Sequence, residues 1–117
     1  MCGITGILSN NYSLQREIKI ITPEIKHRGP DQTKYYFDKS ISLGINRLAI
    51  NDIQNGHQPL VNEKKNVIVV YNGEIYNSKK LRQILIKNKI RLKSNSDGEV
   101  IPHLYDLYGK NVFNYLD

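Results

Sequence analysis

The chain holds a single cysteine among 117 residues. One thiol excludes an intramolecular disulfide framework and any cysteine-rich zinc site, and it makes a reducing compartment the natural setting. Long apolar runs are absent as well: the longest, residues 67–71 (VIVVY), is far too short to cross a membrane. The opening residues lack the basic region and extended apolar stretch of a signal peptide, so the expectation is a cytoplasmic protein. No glycine-rich phosphate cradle occurs. His27, His57 and His103 have no mutual ligand spacing, so no metal site is expected. Acidic residues are comparatively few, 11 against 17 basic, for a net charge of +6. That excess invites a nucleic-acid reading. The basic residues are mostly lysines scattered among acids, however, with no cluster interleaved with aromatics, and the eight tyrosines follow no ribonucleoprotein-type pattern. Neither nucleic acid nor membrane is expected as a partner.

What is present is ordinary for a globular protein: 39% hydrophobic and 24% charged residues. The length suits one domain with a real core. Residues 2–8 (CGITGIL) read as a short strand, with two glycines that invite close approach of another backbone or a ligand. Ser13 is a candidate N-cap for a helix carrying Leu14, Ile18, Ile21 and Ile25, interrupted by Pro23 and stopped by the breaker-rich HRGPD at 27–31. Residues 34–38 and 41–50 predict strands around a tight turn at Lys39 and Ser40, with Ile41, Leu43 and Ile45 alternating. After a polar, turn-rich segment at 51–60 and a hairpin loop at 62–65, residues 66–71 read as a fully buried strand. Ser78 reads as the cap of a helix carrying Leu81, Ile84 and Leu85, with lysines on its outer face. Residues 89–93 (KIRLK) alternate as an edge strand. A last helix begins at Ser96 and Asp97, carries Val100, Ile101, Leu104, Tyr105 and Tyr108, and ends at Gly109. The order predicts an α+β fold with mixed or antiparallel sheets.

Several residues carry chemistry. Cys2 stands directly behind Met1; once that Met is removed, the thiol and a free α-amine share one residue, and the amine can take the thiol proton. The competing reading makes Cys2 merely the second residue of a strand, and the first seven residues do not choose between them. Arg47 lies among apolar neighbours on a predicted strand, where a buried guanidinium needs an anion: either a bound carboxylate or an internal salt bridge. Asn72 offers an amide donor and Gly73 an approachable backbone N–H, together suited to an oxyanion hole. Asn-Gly is equally the commonest hairpin turn. Asp97 starts a helix, where capping alone would account for it.

Five stretches in order, MCGITGI (1–7), HRGPD (27–31), NRLAINDIQNGHQPL (46–60), YNGEIYN (71–77) and SDGEV (96–100), make the chain resemble the class II glutamine amidotransferases. Within them it is similar to the glutaminase domain of the glutamine-hydrolysing asparagine synthetase branch. The resemblance covers essentially all 117 residues. It implies an N-terminal-nucleophile αββα sandwich, incomplete at the C-terminal end, in a glutamine amidotransferase type 2 domain over residues 1–117 with no ATP-binding synthetase domain. It implies that Cys2 attacks the side-chain amide of L-glutamine and forms a thioester that water cleaves. Asn72 and Gly73 match the oxyanion hole, Arg47 the grip on the α-carboxylate, Glu74 and Asp97 the grip on the α-ammonium, and Ile50 the pocket lining. The glutaminase step implies no cofactor; ATP and magnesium enter only with a synthetase domain, in cis or in trans, that takes the ammonia for asparagine synthesis. The alternative is a truncated, non-catalytic relative that binds glutamine or a partner. Missing closing strands would leave an open sheet edge, so an isolated 1–117 chain is expected to be poorly soluble or oligomeric, a homodimer included.

Overall fold

The segment ISLGINR forms the centre of the first sheet because it finds partners on both sides. In the computed structural model, which describes residues 1–10 and 14–117, strand β3 (Ile41–Arg47) lies between β1 (Gly3–Leu8) and β2 (Gln32–Phe37), both antiparallel to it. Gly3 faces Asn46 and Leu8 faces Ile41 across one ladder; Gln32 faces Arg47 and Phe37 faces Ser42 across the other. Asp38 N–H donates to Ile41 O at 2.8 Å, closing the expected turn at Lys39 and Ser40. Helix α1 (Gln15–Glu24) follows β1, and a 3-10 turn (Lys26–Arg28) leads into HRGPD. The proposed cap Ser13 lies outside the described residues.

The described chain divides into two compact units, residues 1–49 with 70–72, and residues 50–69 with 73–117. In the first, the contact between α1 and β3 is polar and close rather than a match of apolar stripes. Ile18 and Thr22 are buried, whereas Ile21, expected on the same face, is exposed. Thr22 sits one helical turn beyond Ile18 and donates its hydroxyl to Ile18 O at 2.7 Å, the i−4 back-bond that lets a threonine enter a dry face. The same oxygen lies 2.7 Å from Thr5 Oγ1. A Cβ at Gly44 would collide with both threonine side chains, so the absence of a side chain there sets the helix-to-sheet approach. Asn46 completes the layer, donating to Thr22 O at 2.6 Å and accepting from Thr33 Oγ1 at 2.7 Å. The alternation read in β3 is therefore incomplete: Ser42, Gly44 and Asn46 are buried along with Ile45, and the strand ends at Arg47 rather than at residue 50.

The second unit combines a two-stranded antiparallel ladder, β4 (Leu60–Val61) with β5 (Ile68–Val69), and helices α2 (Ser78–Lys87) and α3 (Val100–Tyr108). Its core gathers Leu60, Ile75, Leu81, Leu85, Val100, Leu104 and Val112. The run 66–71 corrects the expectation of a fully buried strand: only Ile68 and Val69 enter a ladder, with one partner, and the apolar residues are half-buried. A β-branched run reports strand propensity, whereas burial needs cover on both faces. Ser78 is the first residue of α2 rather than its cap; Asn77 holds the cap position but spends its side chain on Tyr115 O at 2.7 Å and Asp117 N–H at 3.3 Å. Leu81 and Leu85 face inward and Lys79, Lys80 and Lys87 outward, as read.

Residues 89–93 form no strand. Burial alternates along them, but the amides of Lys89 and Ile90 go back to the end of α2 and those of Arg91 and Lys93 to carboxylates instead of a ladder. Arg91 N–H donates to Glu63 at 3.2 Å, Lys93 N–H and Ser94 N–H to the two oxygens of Glu99 at 2.6 and 2.8 Å, and Asn95 N–H to Asp52 at 2.7 Å. Acceptors supplied by side chains satisfy an extended backbone as completely as a neighbouring strand does. Gly109 ends α3 with φ 56°, as its residue type predicts. Among the described residues, no helix is long and apolar enough to cross a membrane.

Candidate active site

Cys2 stands one residue before β1, and the register that pairs Gly3 with Asn46 carries it to the end of β3, at the level of Arg47. There Leu48 N–H donates to Cys2 Sγ at 3.4 Å, and the thiol lies 3.8 Å from Leu48 O. The sulfur is half-buried. Gly3 follows because a Cβ there would press on Ile25 at 3.0 Å from both its Cδ1 and its carbonyl oxygen. A strand carrying a larger residue at position 3 would stand off from the end of α1 and shift the cysteine with it.

HRGPD is the bracket that fixes this end of the sheet. Arg28 Nε donates to Cys2 O at 3.3 Å. Gly29 lies against the backbone of Asn46 and Arg47, where no side chain fits. Asp31 N–H donates to Arg47 O at 3.1 Å, and the Asp31 carboxylate accepts Ala49 N–H at 2.8 Å. Five consecutive residues thus hold Cys2 from one side and residues 46–49 from the other. In the sequence this stretch read as the breaker-rich stop of the first helix; its part in holding the strand ends appears only in the structure. Arg47 closes β3 and is only 4% exposed. Asn72 is half-buried in the same unit.

The second unit holds Ile50, Gly73, Glu74 and Asp97. Ile50 is 69% exposed and Gly73 is exposed. The chain runs from Asn72 and Gly73 toward α2, so this Asn-Gly pair makes no hairpin. Asp97, 8% exposed, opens the 3-10 turn before α3, whose N-cap position falls to Glu99. Its Oδ2 instead accepts Ile75 N–H at 2.8 Å, and its Oδ1 faces Asn51 Nδ2 at 3.4 Å. The same Asn51 nitrogen donates to Glu74 Oε1 and Oε2 at 3.1 and 3.2 Å. The structure therefore brings Glu74 and Asp97 together around one nitrogen. Asn51 and Asp52 were missed in the sequence, where they read as turn residues. Asp52 takes φ 45°, accepts Asn55 N–H at 3.1 Å, and ties residues 51–55 to Asn95 N–H.

The first unit thus anchors a thiol on a backbone amide beside a buried arginine, and the second gathers two carboxylates around one amide nitrogen. The family of the glutamine amidotransferase domain matches residues 1–117, and the chain belongs to that family. More narrowly, the chain is similar to glutamine-hydrolyzing asparagine synthetases. The one from Triphysaria versicolor is 41% identical over 120 residues, covering 100% of this chain and 20% of the relative. Asparagine synthetase 1 of Arabidopsis thaliana is 40% identical with the same coverage. Asparagine synthetase 2 of Bacillus subtilis (strain 168) is 39% identical over 114 residues, covering 93% of this chain and 15% of the relative. The chain thus spans 20% or less of the length of these three relatives.

Proposed function

We propose that the chain is a type 2 amidotransferase domain of N-terminal-nucleophile architecture that hydrolyses the side-chain amide of glutamine. Met1 is removed first; it is 71% exposed, so its loss disturbs little packing. The freed α-amine of Cys2 takes the thiol proton, and the sulfur attacks the amide carbon. The amide C–N bond then breaks, its nitrogen leaves as ammonia with the proton held by the amine, and a γ-glutamyl thioester remains. Water, deprotonated by the same amine, cleaves the C–S bond and releases glutamate. Asn72 and the Gly73 N–H act as donors to the tetrahedral oxyanion. Arg47 binds the α-carboxylate, Glu74 and Asp97 the α-ammonium, and Ile50 lines the pocket. Reading both charged ends of the substrate makes discrimination strong, because an analogue lacking either end forfeits a charge-assisted contact.

The observation that carries this reading is the anchoring of Cys2 Sγ on Leu48 N–H, one residue beyond buried Arg47, in a chain of this family. In the same reading the step needs no cofactor. Its ammonia goes to a synthetase domain, in cis or in trans, that uses ATP and magnesium to make asparagine in the cytoplasm. The test is release of ammonia from glutamine by the protein with Met1 removed. Cys2→Ala is expected to abolish turnover; steady hydrolysis by that variant overturns the nucleophile assignment. Glutamine binding without any ammonia release favours a non-catalytic binder instead.

A further inference from the structure

Asn51 is the residue the proposed mechanism leaves without a part. Its side-chain nitrogen has three carboxylate oxygens around it, two from Glu74 at 3.1 and 3.2 Å and one from Asp97 at 3.4 Å. A primary amide nitrogen carries two hydrogens and no net charge, so it has fewer donors than this oxygen set has acceptors. An ammonium carries three hydrogens and a full positive charge, and its bonds to carboxylates are roughly twice as strong as those of a neutral donor. The Asp97 carboxylate is also held by a partner other than Asn51. Asp97 accepts Ile75 N–H, next in the chain to Glu74, and Asp52 ties the loop carrying Asn51 to Asn95, two residues before Asp97.

We infer that the Asn51 amide is a displaceable stand-in for the substrate's α-ammonium: it occupies the focus of Glu74 and Asp97 and must leave it when an amino acid binds. An ammonium bonded to both carboxylates would lie within van der Waals distance of the amide nitrogen, and two donors cannot share that spot. The inference rests on the assignment of Glu74 and Asp97 to the α-ammonium. Asn51 thereby sets a threshold: it offers the acids two hydrogens and no charge, so only a ligand with a true cation gains by replacing it. Weakly polar and desamino ligands do not.

The test is calorimetry on the full-length protein carrying Cys2→Ala, so that no turnover intervenes, with and without Asn51→Ala. The probes are glutamine and its desamino analogue, 4-carbamoylbutanoate. Removing one competing hydrogen-bonded group is expected to tighten glutamine binding about fivefold, the equivalent of one net hydrogen bond. The affinity for the desamino analogue should not change, which separates a stand-in from a merely structural side chain. Unchanged or weaker glutamine binding in the double variant overturns the inference and marks Asn51 as a buttress of the carboxylates. In the protein without Asn51→Ala, the side-chain NH2 resonances of Asn51 should shift on adding glutamine and stay in place with the analogue; equal shifts with both ligands overturn it too. If that protein binds no glutamine at all, the amidotransferase reading falls together with this one. If it binds glutamine and the Asn51 effects are missing, only the stand-in falls.

Discussion

Replacing Gly29 by alanine tests whether HRGPD is the bracket described above. Gly29 has φ −157°, extended backbone that any residue adopts, so the substitution brings no conformational strain. The penalty is steric. A Cβ at this position would overlap the Asn46 carbonyl oxygen and would lie 2.5 Å from Asn46 C and 2.6 Å from Arg47 C. These are backbone atoms of a strand paired on both sides, and Asn46 is further pinned to Thr22 and Thr33, so nothing flexible can yield. Overpacking of this kind costs about 1–3 kcal/mol and occasionally more. Relief by lifting the loop would forfeit the Asp31 bonds to Arg47 O and Ala49 N–H, at about 1 kcal/mol for the neutral one and about 1.5–3 for the charged one. The cheaper route sets the loss, about 1–3 kcal/mol, which at an m-value of about 2 kcal/mol/M lowers the urea midpoint by about 0.5–1.5 M. Gly6→Ala is the control, since its added Cβ meets only the Leu43 Cδ2 methyl at 3.3 Å and should change stability by about 1 kcal/mol or less. Urea unfolding followed by circular dichroism compares the two. Equal midpoints for Gly29→Ala and Gly6→Ala would refute the bracket.

Glu99→Ala removes the acceptor of Lys93 N–H, Ser94 N–H and the Ser94 hydroxyl and strips Arg82 of its 3.5 Å partner, so it should cost about 3–5 kcal/mol by thermal unfolding; a loss under about 1 kcal/mol would show that the segment is held otherwise. Burial lowers the pKa of His103 below its ordinary 6.5, against the opposing pull of Glu99, Glu63 and Asp106 and with a smaller push from Lys93. Because the unfolded chain then binds the proton first, stability should fall as pH drops below about 6.5 and level off below the depressed folded value, and His103→Gln should flatten that slope in urea titrations across pH 5–8.

The places where expectation and structure part share a cause. Ile21 fits an apolar periodicity, yet Thr22 enters the core, because Gly44 on β3 leaves room for its side chain and its hydroxyl finds partners in Ile18 O and Thr5. Residues 89–93 alternate like a strand, but alternation records which side chains are covered and is silent on who satisfies the amides; here Glu63 and Glu99 take those of Arg91 and Lys93. Asp97 sits where a cap belongs and serves Ile75 and Asn51 instead.

The sequence by itself determined the chemistry available. A cysteine behind the initiator Met, an arginine in an apolar strand, an Asn-Gly pair and two acids stand in an order that the family shares, and the α+β alternation of elements follows from periodicity and breakers. Those signals are local, carried by residue type and spacing. Tertiary structure decided what each motif does within its own unit: that Gly3 and Gly29 are there for close approach, that HRGPD grips Cys2 and the end of β3, and that Asn51 stands between Glu74 and Asp97. Each of those facts joins residues from 17 to 46 positions apart. Contacts over such separations leave no periodic trace in the chain, because the partner is chosen by packing rather than by the helix or strand repeat.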